Sequence, residues 1–290
     1  MNKPVVFILM GQSNAVGHGL PMSREDRISE PLKNVFGLSR EKNQSFCNTE
    51  LFWEGYRSDS MNLGETQDHT YSVCNILATE WQRAIDCGEK LPDLYIVHIA
   101  IGAQGISEKY MWYPDREKCL KPGVLGKADI SLYPFSRHIL SLLKDSFDKK
   151  HTDFDIMGLH WRGGEEDTSV QVDLLQGTLE KLYTRMIKDF REDVGKDFPF
   201  VFHTIECKSR LRLNDPTGRQ TESMNYINSV FRSLSEQFEN VSVFNPETLS
   251  VYDADAENSG LYEADLVHFT KEANRLTALR ILEDYRNEKI

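Results

Sequence analysis

A serine, a histidine and a carboxylate together can carry out acyl transfer, and this chain holds candidates for all three near its two ends. Ser13 lies in Gly11-Gln12-Ser13-Asn14, directly after the apolar run Val5-Val6-Phe7-Ile8-Leu9-Met10. Far downstream, Asp265-Leu266-Val267-His268-Phe269 precedes a helical-looking stretch from Lys271 to Glu283. A serine hydroxyl is a poor nucleophile until a histidine takes its proton and an acid holds that histidine in the right tautomer. Asp265 and His268 offer both functions from one loop. Taken singly, Ser13 reads as a helix cap and Asp265 as an acid near a helix N-terminus. Placement decides between these readings.

The run Val5 to Met10 is too short to cross a bilayer and suits a parallel strand buried on both faces. Similar runs recur at Leu94 to Ile101, Phe154 to Trp161, Phe198 to Ile205 and Val241 to Phe244, which predicts five strands. Between them, Tyr71 to Ile85, Phe135 to Phe147, Val172 to Phe190 and Met224 to Phe238 show helical spacing of apolar residues. Alternating strands and helices imply right-handed βαβ units, and hence an α/β fold: a three-layer, doubly wound parallel sheet with helices on both faces. Asn34 to Leu38 offers a further short strand. The polar stretch Ser39 to Asp68 and the stretch Gly102 to Pro134 read as long functional connections, carrying Trp53, Tyr56, Trp112 and Tyr113. In such a sheet the strand C-termini share one edge, so the loops after Met10, Ile101, Trp161 and Ile205 converge there, and the Asp265 to His268 loop can reach it.

Composition narrows the rest. The 290 residues, 40% hydrophobic and 27% charged, suit one soluble domain over 1–290 that buries roughly 75% of its extended surface. A net charge of −11 argues against nucleic acid or an anionic membrane as partner. Five cysteines without a C-x-x-C pair suggest reduced thiols rather than a disulfide framework or zinc site. The chain reaches its first strand without a secretory signal, so a cytoplasmic location is expected.

Two further loops carry candidate chemistry. After the second long strand, Gly102-Ala103-Gln104-Gly105 lets the backbone approach a ligand, and the Gly102 N–H could meet an oxyanion beside the N–H of Ser13. Each glycine alone fits an ordinary turn equally well. Trp161-Arg162-Gly163-Gly164-Glu165-Glu166-Asp167 concentrates polar groups on the same edge, a pattern that suits a site and a solvated loop about evenly. His98 and His203 read as packed core histidines, while His160 ends a strand and is a candidate to line the site. His18 lies near the serine without an acid at a matching spacing. No histidine and carboxylate set has metal spacing, so neither metal nor cofactor is expected.

Taken together, G-Q-S-N, the glycine loop, W-x-x-G-E-x-D and the late D-x-x-H-F resemble the SGNH-hydrolase superfamily, and more narrowly carbohydrate esterase family 6 and sialate O-acetylesterase-like proteins. The resemblance implies Ser13 as nucleophile, His268 as base then acid, Asp265 as its orienting carboxylate and Gly102 as an oxyanion donor. It also implies a flavodoxin-like fold. The chain departs from the pattern at Gly163, where the family's third block carries a glutamine that donates to the oxyanion. Losing one such donor costs roughly 3 to 4 kcal/mol of transition-state stabilisation unless Arg162, Gln104 or a backbone N–H replaces it. Gln12, Asn14, Glu165 and Asp167 are expected to order the loops or touch substrate.

The expected activity is hydrolysis of O-acetyl esters on carbohydrates, on xylan-type oligosaccharides or O-acetyl sialic acid. Trp112, Tyr113, Trp53 and Arg162 are candidates to contact the sugar, against ordinary packing for the aromatics. Two alternatives stand beside this reading: a weakened carbohydrate-binding protein on the same fold, and a general carboxylesterase.

Overall fold

The computed structural model describes residues 3–18, 22–58, 61–66, 70–122, 128–149, 152–206 and 218–288. In chain order the strands are β1 (Val5–Gly11), β2 (Val35–Leu38), β3 (Trp53–Gly55), β4 (Leu94–Ala100), β5 (Leu120–Pro122), β6 (Ala128–Ile130), β7 (Asp155–Arg162), β8 (Phe200–His203) and β9 (Val241–Phe244). Seven of them form one sheet in the order β3-β2-β4-β1-β7-β8-β9, so β1 lies at its centre. The main helices are α3 (Val73–Asp86), α4 (Leu132–Asp148), α6 (Leu179–Val194), α7 (Arg219–Gln237) and α8 (Lys271–Glu288). Short ones are α1 (Ser13–Val16), α2 (Arg40–Asn43) and α5 (Val172–Leu175).

Every residue of β1 is buried because helices cover both faces of the strand. Val6, Ile8 and Met10 enter a core shared with α4, α6 and α7, and the alternate residues Val5, Phe7 and Leu9 enter a second core under α3 and α8. The strand side-chain period of two divides one apolar run between two cores. That is the doubly wound architecture expected from the sequence.

Three details correct the expectation. The sheet has seven strands rather than five, one of them, β2, being the further short strand offered at Asn34 to Leu38, and it is not wholly parallel, since β3 pairs antiparallel with β2 at the edge. Both β2 and β3 are too short to give a long apolar run. Trp53 in β3 anchors this edge by packing its ring edge-on against Tyr95 and donating its Nε1–H to Ser146. The stretch Gly102 to Pro134 holds the antiparallel pair β5 and β6. The segment expected as one helix from Val172 to Phe190 is split into α5 and α6, with Gly177 at φ 70 between them.

No helix among the described residues is long and apolar enough to cross a membrane. Cys47, Cys74, Cys87 and Cys119 are free thiols, while Cys207 lies outside the described residues, as do residues 208–217.

The buried histidines make a stability prediction. His98 donates to the Ala15 carbonyl at 3.0 Å, and His160 and His203 contact each other through Nδ1 and Nε2 at 2.9 Å. Burial pushes His98 and His160 down to about 3. Burial and the neighbouring imidazole push His203 well down too. An unfolded histidine titrates near 6.5, so below that pH the unfolded chain binds protons that the native state refuses. Stability is therefore expected to fall as pH drops from 7 to 5, by up to about 1.4 kcal/mol per pH unit per histidine at the steepest. Urea unfolding across that window, above the carboxylate range, measures it; a constant midpoint would contradict the assignment.

Candidate active site

The strands β4, β1 and β7 end level. Gly11, the last residue of β1, pairs with Ala100 on one side and Arg162 on the other. The loops that begin at Gln12, Ile101 and Gly163 therefore leave the sheet side by side, at the point where chain order reverses about β1. Open α/β sheets place ligands at such switch points.

Ser13 opens α1 and is buried except for 6% of its surface. Next to it, Asn14 joins three segments through one carboxamide. Its Nδ2 donates to Glu165 Oε1 at 2.8 Å and to the Val267 carbonyl at 3.1 Å, and its Oδ1 accepts the Phe269 N–H at 3.2 Å. Val267 and Phe269 flank His268, so Asn14 fixes the backbone on both sides of the candidate base.

The base is held a second time from within its own loop. Asp265 Oδ2 meets His268 Nδ1 at 2.6 Å, and Asp265 Oδ1 accepts the N–H groups of Val267 and His268 at 2.9 Å each. Leu266 adopts φ 57, which turns the chain tightly enough for this closure. Partial burial opposes ionisation, but the His268 and Val267 N–H groups and the imidazole prevail and hold the Asp265 carboxyl below its usual range. An ionised Asp265 accepts a hydrogen bond from Nδ1–H, which leaves Nε2 unprotonated and free to accept a proton.

Ser13 and His268 line the same cavity of roughly 420 Å³, together with Gln12, His18, Gly102 and Glu166. No hydrogen bond joins Ser13 to His268 among the described residues, and catalytic contacts of this kind often tighten only with substrate bound. No cluster of three or more His, Cys, Asp or Glu residues among those described could hold a metal ion.

The other expected site residues divide between wall and support. Gln12 lines the cavity and accepts the Glu166 N–H at 3.2 Å. Asp167 is fully buried and accepts the N–H groups of Ile106 and Ser107 and the Ser107 hydroxyl, tying the loop after β4 to the loop after β7. Burial raises the Asp167 carboxyl against these bonds. Gln104 accepts the Met111 N–H and is absent from the cavity wall, so it shapes its own loop.

Arg162 does not reach the cavity. It is 2% exposed, donates to the Asn14 carbonyl and to Asn274 Oδ1, and lies 4.5 Å over the Phe269 ring. Burial pulls its guanidinium down to about 10, with Glu165 acting in the opposite direction. It braces the serine loop against the histidine loop rather than holding a sugar carboxylate. Trp112 is likewise a support: fully buried, it donates its Nε1–H to the Gly11 carbonyl and packs edge-on against Trp161. Trp53 serves the sheet edge, Tyr113 lines a neighbouring cavity, and His160 lines one between β8, β9 and α8.

Gly163 lies outside the wall of the Ser13 cavity, and its surroundings are tight. A Cβ built there would come 2.9 Å from the Trp161 ring, so a glutamine would need that buried indole to move. The Gly102 N–H faces a carboxylate instead of open space, donating to Glu65 Oε2 at 2.9 Å. Glu65 also lies 3.2 Å from His18 Nε2, so His18 does have an acidic partner. Sequence spacing held no signal for it, because 47 residues separate the two.

The doubly wound sheet, together with a family match over almost the whole chain, makes this an SGNH-type esterase. The chain belongs to the carbohydrate esterase, sialic acid-specific acetylesterase family, whose profile matches residues 3–287. It is accordingly a carboxylic ester hydrolase with carbohydrate acetylesterase activity. Among solved structures, that of NanS resembles it in fold with a TM-score of 0.60 at 14% identity, covering 98% of this chain and 98% of that one. An inhibitor-bound aryl esterase of M. smegmatis gives 0.43 at 11% identity over 97% and 98%. A variant of the acetyl xylan esterase Axe2 from Geobacillus stearothermophilus gives 0.40 at 11% over 97% and 94%. No curated protein sequence matches the chain.

Asn14→Ala tests the central clamp. Removing three hydrogen bonds around the His268 loop is expected to cost about 1 to 3 kcal/mol in urea unfolding. Turnover of acetyl esters is expected to fall about 10- to 100-fold, with a smaller change in KM, because misplacing a base by an ångström is that costly. Unchanged turnover would show that the loop holds its place without Asn14.

Proposed function

We propose that the chain removes O-acetyl groups from carbohydrates through a Ser13, His268 and Asp265 triad. The observation that carries this reading is the shared cavity, onto which Ser13 and the Asp265-held His268 both open. His268 Nε2 takes the Ser13 proton as Oγ attacks the acetyl carbonyl, and Asp265 stabilises the resulting imidazolium. The tetrahedral oxyanion meets the N–H of Ser13 at the start of α1, where helical N–H groups have no partner within the helix. Collapse passes the proton from His268 to the departing sugar oxygen and leaves acetyl on Ser13. Water, deprotonated by His268, then attacks this ester and releases acetate and free Ser13.

Gln12, Asn14, Arg162, Glu165 and Asp167 serve this site by fixing the loops, as their hydrogen bonds support. Acetylated xylo-oligosaccharides and O-acetyl sialic acid are the substrates proposed. With either of these or p-nitrophenyl acetate, Ser13→Ala is expected to lower kcat by roughly a thousandfold or more. Equal release of acetate by both proteins would overturn the mechanism. Retained sugar binding by a wild-type protein that hydrolyses none of the three would favour a binding role.

A further inference from the structure

His18 places a second histidine and carboxylate pair in the cavity of Ser13, and the triad makes no use of it. Its Nε2 lies 3.2 Å from Glu65 Oε1, while the other oxygen of that carboxylate accepts the Gly102 N–H at 2.9 Å. An ionised carboxylate only accepts hydrogen bonds, so the network assigns the imidazole proton to Nε2. In the neutral ring Nδ1 is then an acceptor, and it has no hydrogen-bond partner among the described residues.

The position of the ring is built in. A Cβ at Gly102 would come 2.5 Å from His18 Cε1 and 3.0 Å from Nδ1, so a glycine is what admits the imidazole here. On its other side the ring meets His268 at an angle of 65°, with centroids 5.8 Å apart. His18 thus stands between the Gly102 turn and the candidate base, on the wall of the cavity that Ser13 lines. Asp265 already orients His268, so that task does not need His18.

We propose that His18 Nδ1 accepts a hydrogen bond from a free substrate hydroxyl next to the acetyl ester, with Glu65 as the positioning residue that fixes the ring and its tautomer. The substrate class is then partly acetylated polyols, with a hydroxyl beside the ester, in preference to simple alkyl or aryl acetates. This rests on the Ser13 esterase reading. A site that pairs with a substrate hydroxyl rejects the analogue lacking it, because its own polar group is left unpaired.

The test compares kcat/KM for monoacetates of a methyl pyranoside with their deoxy counterparts lacking the neighbouring hydroxyl, in the wild type, His18→Ala, His18→Asn and Ser13→Ala. In the wild type, loss of the hydroxyl is expected to lower kcat/KM about tenfold or more. In His18→Ala that penalty should shrink to about twofold or less, and His18→Asn, which keeps an acceptor near Nδ1, should restore part of it. A wild type indifferent to the hydroxyl overturns the assignment, and decides the matter even if His18→Ala fails to fold. The same penalty in His18→Ala and in the wild type overturns it too. Hydrolysis undiminished in Ser13→Ala overturns the esterase reading, and this assignment with it.

Discussion

The site is aligned through the side chain of Asn14, whose carboxamide bonds simultaneously to Glu165, the Val267 carbonyl and the Phe269 N–H. Serine and histidine lie some 255 residues apart in sequence, by 268 − 13, and no strand pairing holds their loops together. A short amide that both donates and accepts can do so in a space where two backbones run close. Arg162 reinforces the same junction from below, donating to the Asn14 carbonyl and to Asn274 of α8 while its guanidinium covers Phe269. An apolar residue could fill this space, but it could not fix the direction of two loops at once. A buried guanidinium gains from its bonds only if most of its donors are engaged, and the Asn14 and Asn274 oxygens meet that need in part.

These contacts depend in turn on the register of the sheet. With Gly11 level with Ala100 and Arg162, three loops start at one height, and the buried Asp167 then ties the loop after β4 to the loop after β7. A one-residue slip would exchange the two faces of β1 and remove Val6, Ile8 and Met10 from their core. The apolar pattern of β1 therefore sets where Ser13 emerges.

Much of this was legible from the sequence because buried parallel strands read as continuous apolar runs. The runs at Val5 and Leu94 correspond to β1 and β4 almost end to end, and Asp265 is bonded to His268 in the loop that follows the last strand. The edge was less legible: β3 is three residues long and is held by side chains distant in sequence, Tyr95 and Ser146. Aromatics in loops were left between sugar contact and ordinary packing for a related reason. Trp112 is packed, its indole buried beneath Gly11, and nothing in its neighbours' sequence reveals that partner. Glu65 went unseen because its link to His18 and Gly102 is purely tertiary. The departure at Gly163 was visible at once, while the closeness of the Trp161 ring to it is a tertiary contact.

Ser13 as the acyl-accepting nucleophile is the claim on which the chemistry stands, and covalent labelling tests it most directly. Treating the protein with a fluorophosphonate and mapping the adduct by peptide mass spectrometry should place a single label on Ser13, with esterase activity lost in proportion to labelling. Full inactivation with Ser13 unmodified, or undiminished hydrolysis by protein fully labelled at Ser13, would contradict it.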